Sequence, residues 1–227
     1  MQPQLVAPGV HLLAFEIGQV YLWDWGGGVS VIDTSIAGSA GAILDAVAAL
    51  GRERGDVREL ILPHYHDDHR GSASALQAAT GATIIAHHAD APVMRGEQPQ
   101  AAPVLSDFER PIYEAVTPLV PPADPVVVDR EVVDGDVTLG GGRIVHVPGH
   151  TPGSISLLTP GGVLFTGDTL AEYGGSVILG VFNIDPAQAI QSARKQAALT
   201  FEVACFGHGK PAIGSANTLI RALAAGL

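Results

Sequence analysis

The sequence predicts an α/β protein, of the α+β type, in which two β-sheets pack face to face with helices on the outside. Short apolar runs separated by glycines are followed by a helical pattern, and this order occurs twice along the 227 residues. Hydrophobic residues make up 47% of the chain, which is enough for a sizeable core. The single cysteine, Cys205, lies in a predicted apolar strand and is expected to be a buried thiol, so no internal disulfide can form.

The first half predicts an antiparallel meander followed by a βαβ-like unit. The runs VHLLAFEIGQVYLWDW and GVSVIDTS alternate or are continuously apolar, which is typical of strands. Helical spacing extends from Ser39 to Leu50, and Gly51 follows as a C-cap. ELILP then predicts a strand, GSASALQAAT a helix and ATIIAHH a second strand.

Residues 89–125 form a proline-rich insertion in what we interpret as one domain spanning residues 1–227. A short helix is predicted from about Ser106 to Val116, after a capping signal. Long irregular segments in compact domains are usually functional or disordered. The apolar side chains here favour a lid that lines an apolar cleft or, alternatively, a homodimer interface. These side chains are Met94, Leu105, Phe108, Ile112 and Tyr113.

The second half repeats the order of strands and then a helix. PVVVDREVVDGDVTLGGGRIVHVPGH, SISLLTP and GVLFTGDT predict strands joined by glycine-rich turns. Asp185 and Pro186 mark the start of an amphipathic helix. FEVACFGHG predicts a last strand and SANTLIRALAAG a last helix.

The charge pattern argues against nucleic acid and membranes as partners. The formal net charge is −11, and the twelve basic residues are scattered rather than clustered. The N-terminal stretch lacks the pattern of a secretory signal, and no apolar run approaches the roughly 20 residues that span a bilayer. We therefore expect a cytoplasmic protein that acts on a small molecule.

Three histidines and two aspartates are concentrated in HYHDDH, residues 64–69. His64 and His66 are two residues apart after a strand, so both rings point to one side of an extended segment. His150, Asp168 and His208 each follow another predicted strand. With Asp68 and His69 these are five imidazoles and two carboxylates, a set that suits two divalent cations.

These motifs resemble those of the metallo-β-lactamase superfamily. HYHDDH matches the His-x-His-x-Asp-His signature, and VIDTS, GHTPGS, TGDTL and FGHGKP occupy their expected places in the order. The resemblance implies a four-layer αββα sandwich of two mixed β-sheets flanked by helices, with metals at one edge. It also implies one metal on His64, His66 and His150, a second on Asp68, His69 and His208, Asp168 as a bridge, and Asp33 as a buried supporting residue.

The resemblance further implies a hydrolase with two divalent metal ions, most simply zinc, with manganese or iron also compatible with the ligands. A metal-bridging hydroxide would attack a small ester, thioester or lactone. The bridging Asp168 points to the glyoxalase II and lactonase side of the superfamily. The absence of Arg and Lys from LAEYGGSVILGVFN argues against glutathione thioesters.

Two further catalytic roles are expected from the resemblance. Asp68 would orient the nucleophile and carry a proton to the leaving group. Tyr173, five residues after Asp168, would hydrogen-bond the substrate carbonyl, as a tyrosine does in quorum-sensing lactonases. The alternatives are a mononuclear iron enzyme that oxidises sulfur, resembling persulfide dioxygenases, and a β-lactamase-like amidase.

Overall fold

A computed structural model describes residues 2–227. Its first sheet has seven strands in chain order and is mixed. Neighbouring strands pair antiparallel from the first to the fourth and parallel from the fourth to the seventh. The strands are β1 (Gln4–Ala7), β2 (Val10–Leu13), β3 (Val20–Asp24), β4 (Val29–Ile32), β5 (Val57–Ile61), β6 (Thr83–His87) and β7 (Arg130–Val132).

The second sheet has five strands and is also mixed. They are β8 (Arg143–His146), β9 (Ile155–Leu158), β10 (Val163–Phe165), β13 (Val203–Cys205) and β14 (Ala212–Ile213). Their order is β14-β13-β10-β9-β8, and only β10 and β13 pair in parallel. Between β10 and β13 the chain forms a separate hairpin of β11 (Leu170–Tyr173) and β12 (Ser176–Leu179).

Seven α-helices lie within residues 2–227. They are α1 (Ala40–Ala49), α2 (Asp67–Arg70), α3 (Ala73–Thr80), α4 (Ala91–Met94), α5 (Glu109–Val116), α6 (Pro186–Ala197) and α7 (Ala216–Gly226). None of them is long and apolar enough to cross a membrane.

Three apolar clusters define the layers. One packs helices α1, α3 and α4 against the first sheet, with Ile43, Leu76 and Leu60 among its members. A second lies between the sheets and joins Tyr21 to Phe165. The third packs α6 and α7 against the second sheet. The order helix, sheet, sheet, helix confirms the predicted αββα sandwich.

Most predicted elements occur close to their expected positions. The meander is β1–β4, and β5-α3-β6 is the βαβ unit, with β5 and β6 parallel. The Asp185 carboxylate accepts a hydrogen bond from the Gln188 N–H at 2.9 Å and caps α6 as expected. Cys205 is buried between the sheets, where burial raises the pKa of its thiol.

The helix of the 89–125 segment starts later than expected. Ser106 and Glu109 form a capping box in which each side chain bonds the other residue's backbone N–H, and regular α5 begins at Glu109. No residue of α5 is buried, and Phe108 is 72% exposed. The expectation that Met94 lines a cleft is wrong, because Met94 ends α4 and is fully buried in the core between helices and first sheet.

Candidate metal centre

The first sheet supplies four of the candidate ligands through the loop after β5. His64 and His66 lie in this loop, and α2 carries Asp68 and His69. Arg70 fixes the loop: its Nε donates to the Tyr65 carbonyl at 2.8 Å and its Nη2 donates to Asp67 Oδ1 at 2.7 Å. Asp67 is therefore engaged by Arg70 and belongs to none of the candidate ligand groups.

The second sheet supplies the other three candidates. His150 follows β8, Asp168 lies in a 3₁₀ turn after β10, and His208 follows β13. The chain thus brings loops from both sheets to one edge of the sandwich. All seven residues that the sequence assigned to metal binding meet there.

The ligand atoms form three overlapping groups, each with all atoms within 4.8 Å of one another. The groups are His64, His66 and His150; Asp68, His69 and His208; and His64, His69 and Asp168. Asp168 Oδ2 lies 3.2 Å from His208 Nε2, 3.3 Å from His69 Nε2 and 3.7 Å from His150 Nε2. One carboxylate oxygen therefore lies at the junction of the first two groups.

Several buried polar atoms in this cluster have no hydrogen-bond partner among residues 2–227. They are both ring nitrogens of His64, Nδ1 of His150 and Oδ1 of Asp168. Leaving such atoms unpaired is costly in a folded protein. Imidazole nitrogens and a carboxylate oxygen converging on one region are the donors that a divalent cation uses, so the residues fit metal binding.

Burial controls the protonation of the first group. It lowers the pKa of His64 and of His66, the latter to about 3, with the neighbouring His150 adding to the effect for His66. Burial also lowers the pKa of His150, although the Asp168 charge opposes it. These imidazoles are neutral near pH 7, which is the form that ligates a cation.

In the second group, charge interactions between carboxylates and imidazoles outweigh burial in setting the pKa values. Burial alone would lower the pKa of His208, but Asp168 and Asp68 raise it to about 10. Conversely, burial alone would raise the pKa of Asp68, but His69 and His208 hold it well below its ordinary value. The Asp68 side chain is partly exposed, so this ionised carboxylate is accessible from solvent.

Asp33 supports His69 from behind, as the family resemblance implied. Its Oδ1 lies 2.6 Å from His69 Nδ1, and both side chains are buried. This contact fixes the tautomer of His69 and directs its Nε2 toward Asp168 and Asp68. Asp33 adopts a left-handed backbone conformation (φ 63°), which Asp tolerates better than most residues.

Tyr173 is the one candidate that the structure does not bring to the cluster. It lies at the tip of the β11–β12 hairpin and is 78% exposed. Its hydroxyl makes no hydrogen bond to a cluster residue within the described chain. A role for Tyr173 on the substrate stays a prediction.

The other histidines lie apart from the cluster. The His87 ring stacks on His146 with centroids 3.9 Å apart, and the His88 ring centroid lies 4.4 Å from that of His87. His11, His87, His88 and His146 belong to none of the three ligand groups. We therefore interpret these four histidines as packing or surface residues.

Two residues near the site were missed by sequence reasoning. Gly207 approaches the cluster so closely that a Cβ there would lie 2.1 Å from Asp168 Oδ1. Asp90 is buried behind the His150 loop, where its Oδ2 accepts a 2.6 Å hydrogen bond from the Thr151 hydroxyl. Gly207 adjoins His208 within a recognised motif, which was the available signal, whereas Asp90 follows a strand with no motif around it.

The sequence profile of the metallo-beta-lactamase superfamily matches residues 14–208. The chain belongs to the metallo-beta-lactamase superfamily. A hydroxyacylglutathione hydrolase from Cereibacter sphaeroides is 34% identical over 190 residues, which cover 80% of this chain and 58% of that protein. A probable metallo-hydrolase from Bacillus subtilis is 29% identical over 230 residues, covering 92% of this chain and 86% of that protein.

Among solved structures, a metallo-beta-lactamase with a HARLDQ motif from Cronobacter sakazakii superposes with a TM-score of 0.70 and 26% identity. The alignment covers 92% of this chain and 78% of that one. Membership of the superfamily and the hydrolase relatives confirm the expectation of a metal-binding hydrolase at this level. This chain spans less than two thirds of the hydroxyacylglutathione hydrolase, so the substrate of that enzyme does not transfer automatically.

Proposed function

We propose that this superfamily member is a dinuclear metallo-hydrolase that cleaves a small ester, thioester or lactone. The observation that carries the proposal is the position of Asp168 Oδ2, within 3.7 Å of ligand nitrogens from both three-residue groups. A shared carboxylate oxygen is the arrangement by which two cations are held close together in two-metal hydrolases. The similarity to a hydroxyacylglutathione hydrolase supports acyl transfer to water.

His64, His66 and His150 would hold one cation, Asp68, His69 and His208 the other, and Asp168 would contact both. Zinc suits this set, and manganese and iron are compatible with it. Two bound cations would supply an activated water molecule and polarise the substrate carbonyl. The chain itself must then orient the ligands, and the burial of His64 and His150 restricts how far these two rings can move.

Asp68 is the residue best placed to handle the proton. Its Oδ2 lies 3.3 Å from His208 Nε2 and its side chain is partly exposed, so it is available to both ligand and substrate. Because His69 and His208 hold its pKa low, Asp68 is ionised and can accept a proton. It would pass this proton to the leaving alkoxide or thiolate.

The open side of the site is the side of His208. The His208 side chain is 40% exposed, whereas His64, His69 and His150 are buried. The substrate would therefore approach past His208 and Asp68. Esters, thioesters and lactones share the acyl carbonyl that would be attacked, so we propose them as one class.

We infer that the 89–125 segment covers this edge of the site as a lid. Gln100 Nε2 donates to Asp67 Oδ1 at 3.2 Å, beside the first-sheet loop. The Val104 N–H donates to the Asn183 carbonyl at 2.9 Å, beside the second-sheet loop. These contacts favour the lid-like role over the dimer interface, and sedimentation velocity would reveal a dimer built on the exposed side chains of α5.

The deciding experiment combines metal analysis with ligand variants. Elemental mass spectrometry of untagged protein purified without added metal is expected to give close to two zinc ions per chain. His66→Ala and Asp168→Ala are expected to abolish turnover on a panel of lactones and thioesters while keeping the far-UV circular dichroism spectrum. Asp67→Asn, in the same loop but bound to Arg70, is the matched control and should keep turnover.

Three results would contradict the proposal. About one iron per chain with oxygen uptake would indicate the sulfur-oxidising alternative. Hydrolysis confined to β-lactam amides would indicate the amidase. Substantial turnover in both ligand variants would exclude the dinuclear mechanism.

A further inference from the structure

Asp90 is a buried carboxylate outside the metal cluster that the mechanism does not use. It follows β6, immediately precedes α4 and is fully buried. Its Oδ1 accepts a hydrogen bond from the Gly153 N–H, and its Oδ2 accepts one from the Thr151 hydroxyl, both at 2.6 Å. Burying a carboxylate costs folding free energy unless hydrogen-bond donors surround it, so a buried Asp90 indicates a structural or functional role.

The donors belong to the loop that carries His150. Thr151 directly follows His150, and its hydroxyl also lies 2.8 Å from Ser154 Oγ. The fit is close, because a Cβ on Gly153 would meet the Asp90 carboxyl carbon at 2.6 Å. Asp90 thus holds the second-sheet loop at two residues, Thr151 and Gly153.

Asp90 itself belongs to the first sheet, because it follows β6. β6 pairs in parallel with β5, the strand that leads into the loop carrying His64 and His66. Burial raises the pKa of Asp90 to about 6, and the Thr151 hydroxyl and the N–H groups of Gly153 and Tyr65 limit that rise. Asp90 therefore links the first sheet, which carries His64 and His66, to the second-sheet loop that carries His150.

We propose that Asp90 is a positioning residue for the His64–His66–His150 group, fixing the distance between ligands that come from different sheets. The inference rests on the proposed function, since it assumes that this group holds a cation. Asp33 serves the other group by contacting His69. Each three-residue group is then supported by one buried carboxylate, Asp90 or Asp33. Removal of one of these carboxylates should weaken the binding of only one of the two zinc ions.

The test is a zinc titration of the metal-free protein against a chromophoric chelator, which resolves two binding constants. Asp90→Ala is expected to weaken one constant 10- to 100-fold, the usual range for a residue that orients metal ligands. Thr151→Val should weaken the same constant to a smaller extent, because Asp90 keeps its other donors. Thr151→Ser retains the hydroxyl and should behave like the wild type.

A double variant identifies which event is affected. His66→Ala removes a ligand of the first group, so adding Asp90→Ala to it should leave the remaining zinc constant unchanged. Adding Asp33→Asn to His66→Ala should instead weaken that remaining constant. Circular dichroism and thermal melting of the metal-free variants show whether they are folded. If Asp90→Ala does not fold, the comparison of Thr151→Val with Thr151→Ser tests the positioning role instead.

The outcomes separate this inference from the proposed function. Fewer than two zinc ions on the wild type would overturn the dinuclear function itself. Two ions on the wild type with both constants unchanged in Asp90→Ala would overturn the positioning role alone. Equal weakening of both constants would make Asp90 a structural residue and would also overturn the role.

Discussion

Replacing Gly207 with alanine tests whether the close approach of backbone to cluster is required. The added Cβ would lie 2.1 Å from Asp168 Oδ1 and 2.7 Å from His69 Cε1, whereas ordinary contact begins near 3.4 Å. Gly207 cannot easily withdraw, because its carbonyl accepts a 2.8 Å hydrogen bond from the Gln19 N–H. Asp168 must therefore move.

The size of the effect follows from that displacement. The carboxylate has to shift by roughly 1 Å, and misplacing a reactive group by this distance costs about a hundredfold in rate. Overpacking of the buried surroundings should also lower the free energy of unfolding by about 1–3 kcal/mol. We expect Gly207→Ala to lose about two orders of magnitude in kcat/KM and to bind its metals more weakly.

Gly41→Ala is the matched control. Gly41 lies near the start of α1, and a Cβ there would meet nothing within 4 Å. Alanine should raise the free energy of unfolding by up to about 1 kcal/mol, since glycine is unfavourable in helices, and leave kcat/KM unchanged. The measurements are kcat/KM on the best ester or lactone, zinc content and urea denaturation. Unchanged zinc content and kcat/KM in Gly207→Ala would refute the steric reasoning.

Two further predictions concern other buried groups. Asp33→Asn keeps the left-handed backbone conformation but removes the negative charge beside His69 Nδ1. One of the two zinc-binding constants should therefore weaken about tenfold in competition with a chelator. An unchanged constant would show that this charge is dispensable. Burial, reinforced by His146 and His88 and opposed by Asp134, lowers the pKa of His87 to about 4. Because the unfolded chain takes up a proton near pH 6.5 and folded His87 resists it, the stability that neutral His87 contributes is fully present above pH 6.5 and is lost as the pH decreases toward 4. His87→Gln should flatten this decline in urea unfolding at pH 7.5 and 4.5, and identical declines would contradict it.

The sequence predicted the ligand cluster well because strand ends carry the signal. His64, Asp168 and His208 each follow an apolar run that reads clearly as a strand, and the motif order specifies how those runs are connected. The αββα layering followed from the same runs. Strands and helices of this kind are recognised by the local periodicity of apolar residues, which the sequence alone shows.

What the sequence did not reveal depends on contacts between distant segments. Asp90 reaches residues more than 60 positions away, and nothing near it distinguishes it from a helix-capping aspartate. Met94 stands in a four-residue helix, too short to show which side is buried. Tyr173 was selected by its distance from Asp168 along the chain, but the Gly174-Gly175 turn places it at a hairpin tip, exposed.

If two cations bind as proposed, each would link the two sheets of the sandwich. Four candidate ligands come from the loop after β5 and three from loops of the second sheet, so separating the sheets would break coordination. A cation present at a thousand times its Kd adds about 4 kcal/mol to the stability of the folded chain. The supply of metal in its surroundings would then govern the lifetime of this protein as well as its activity.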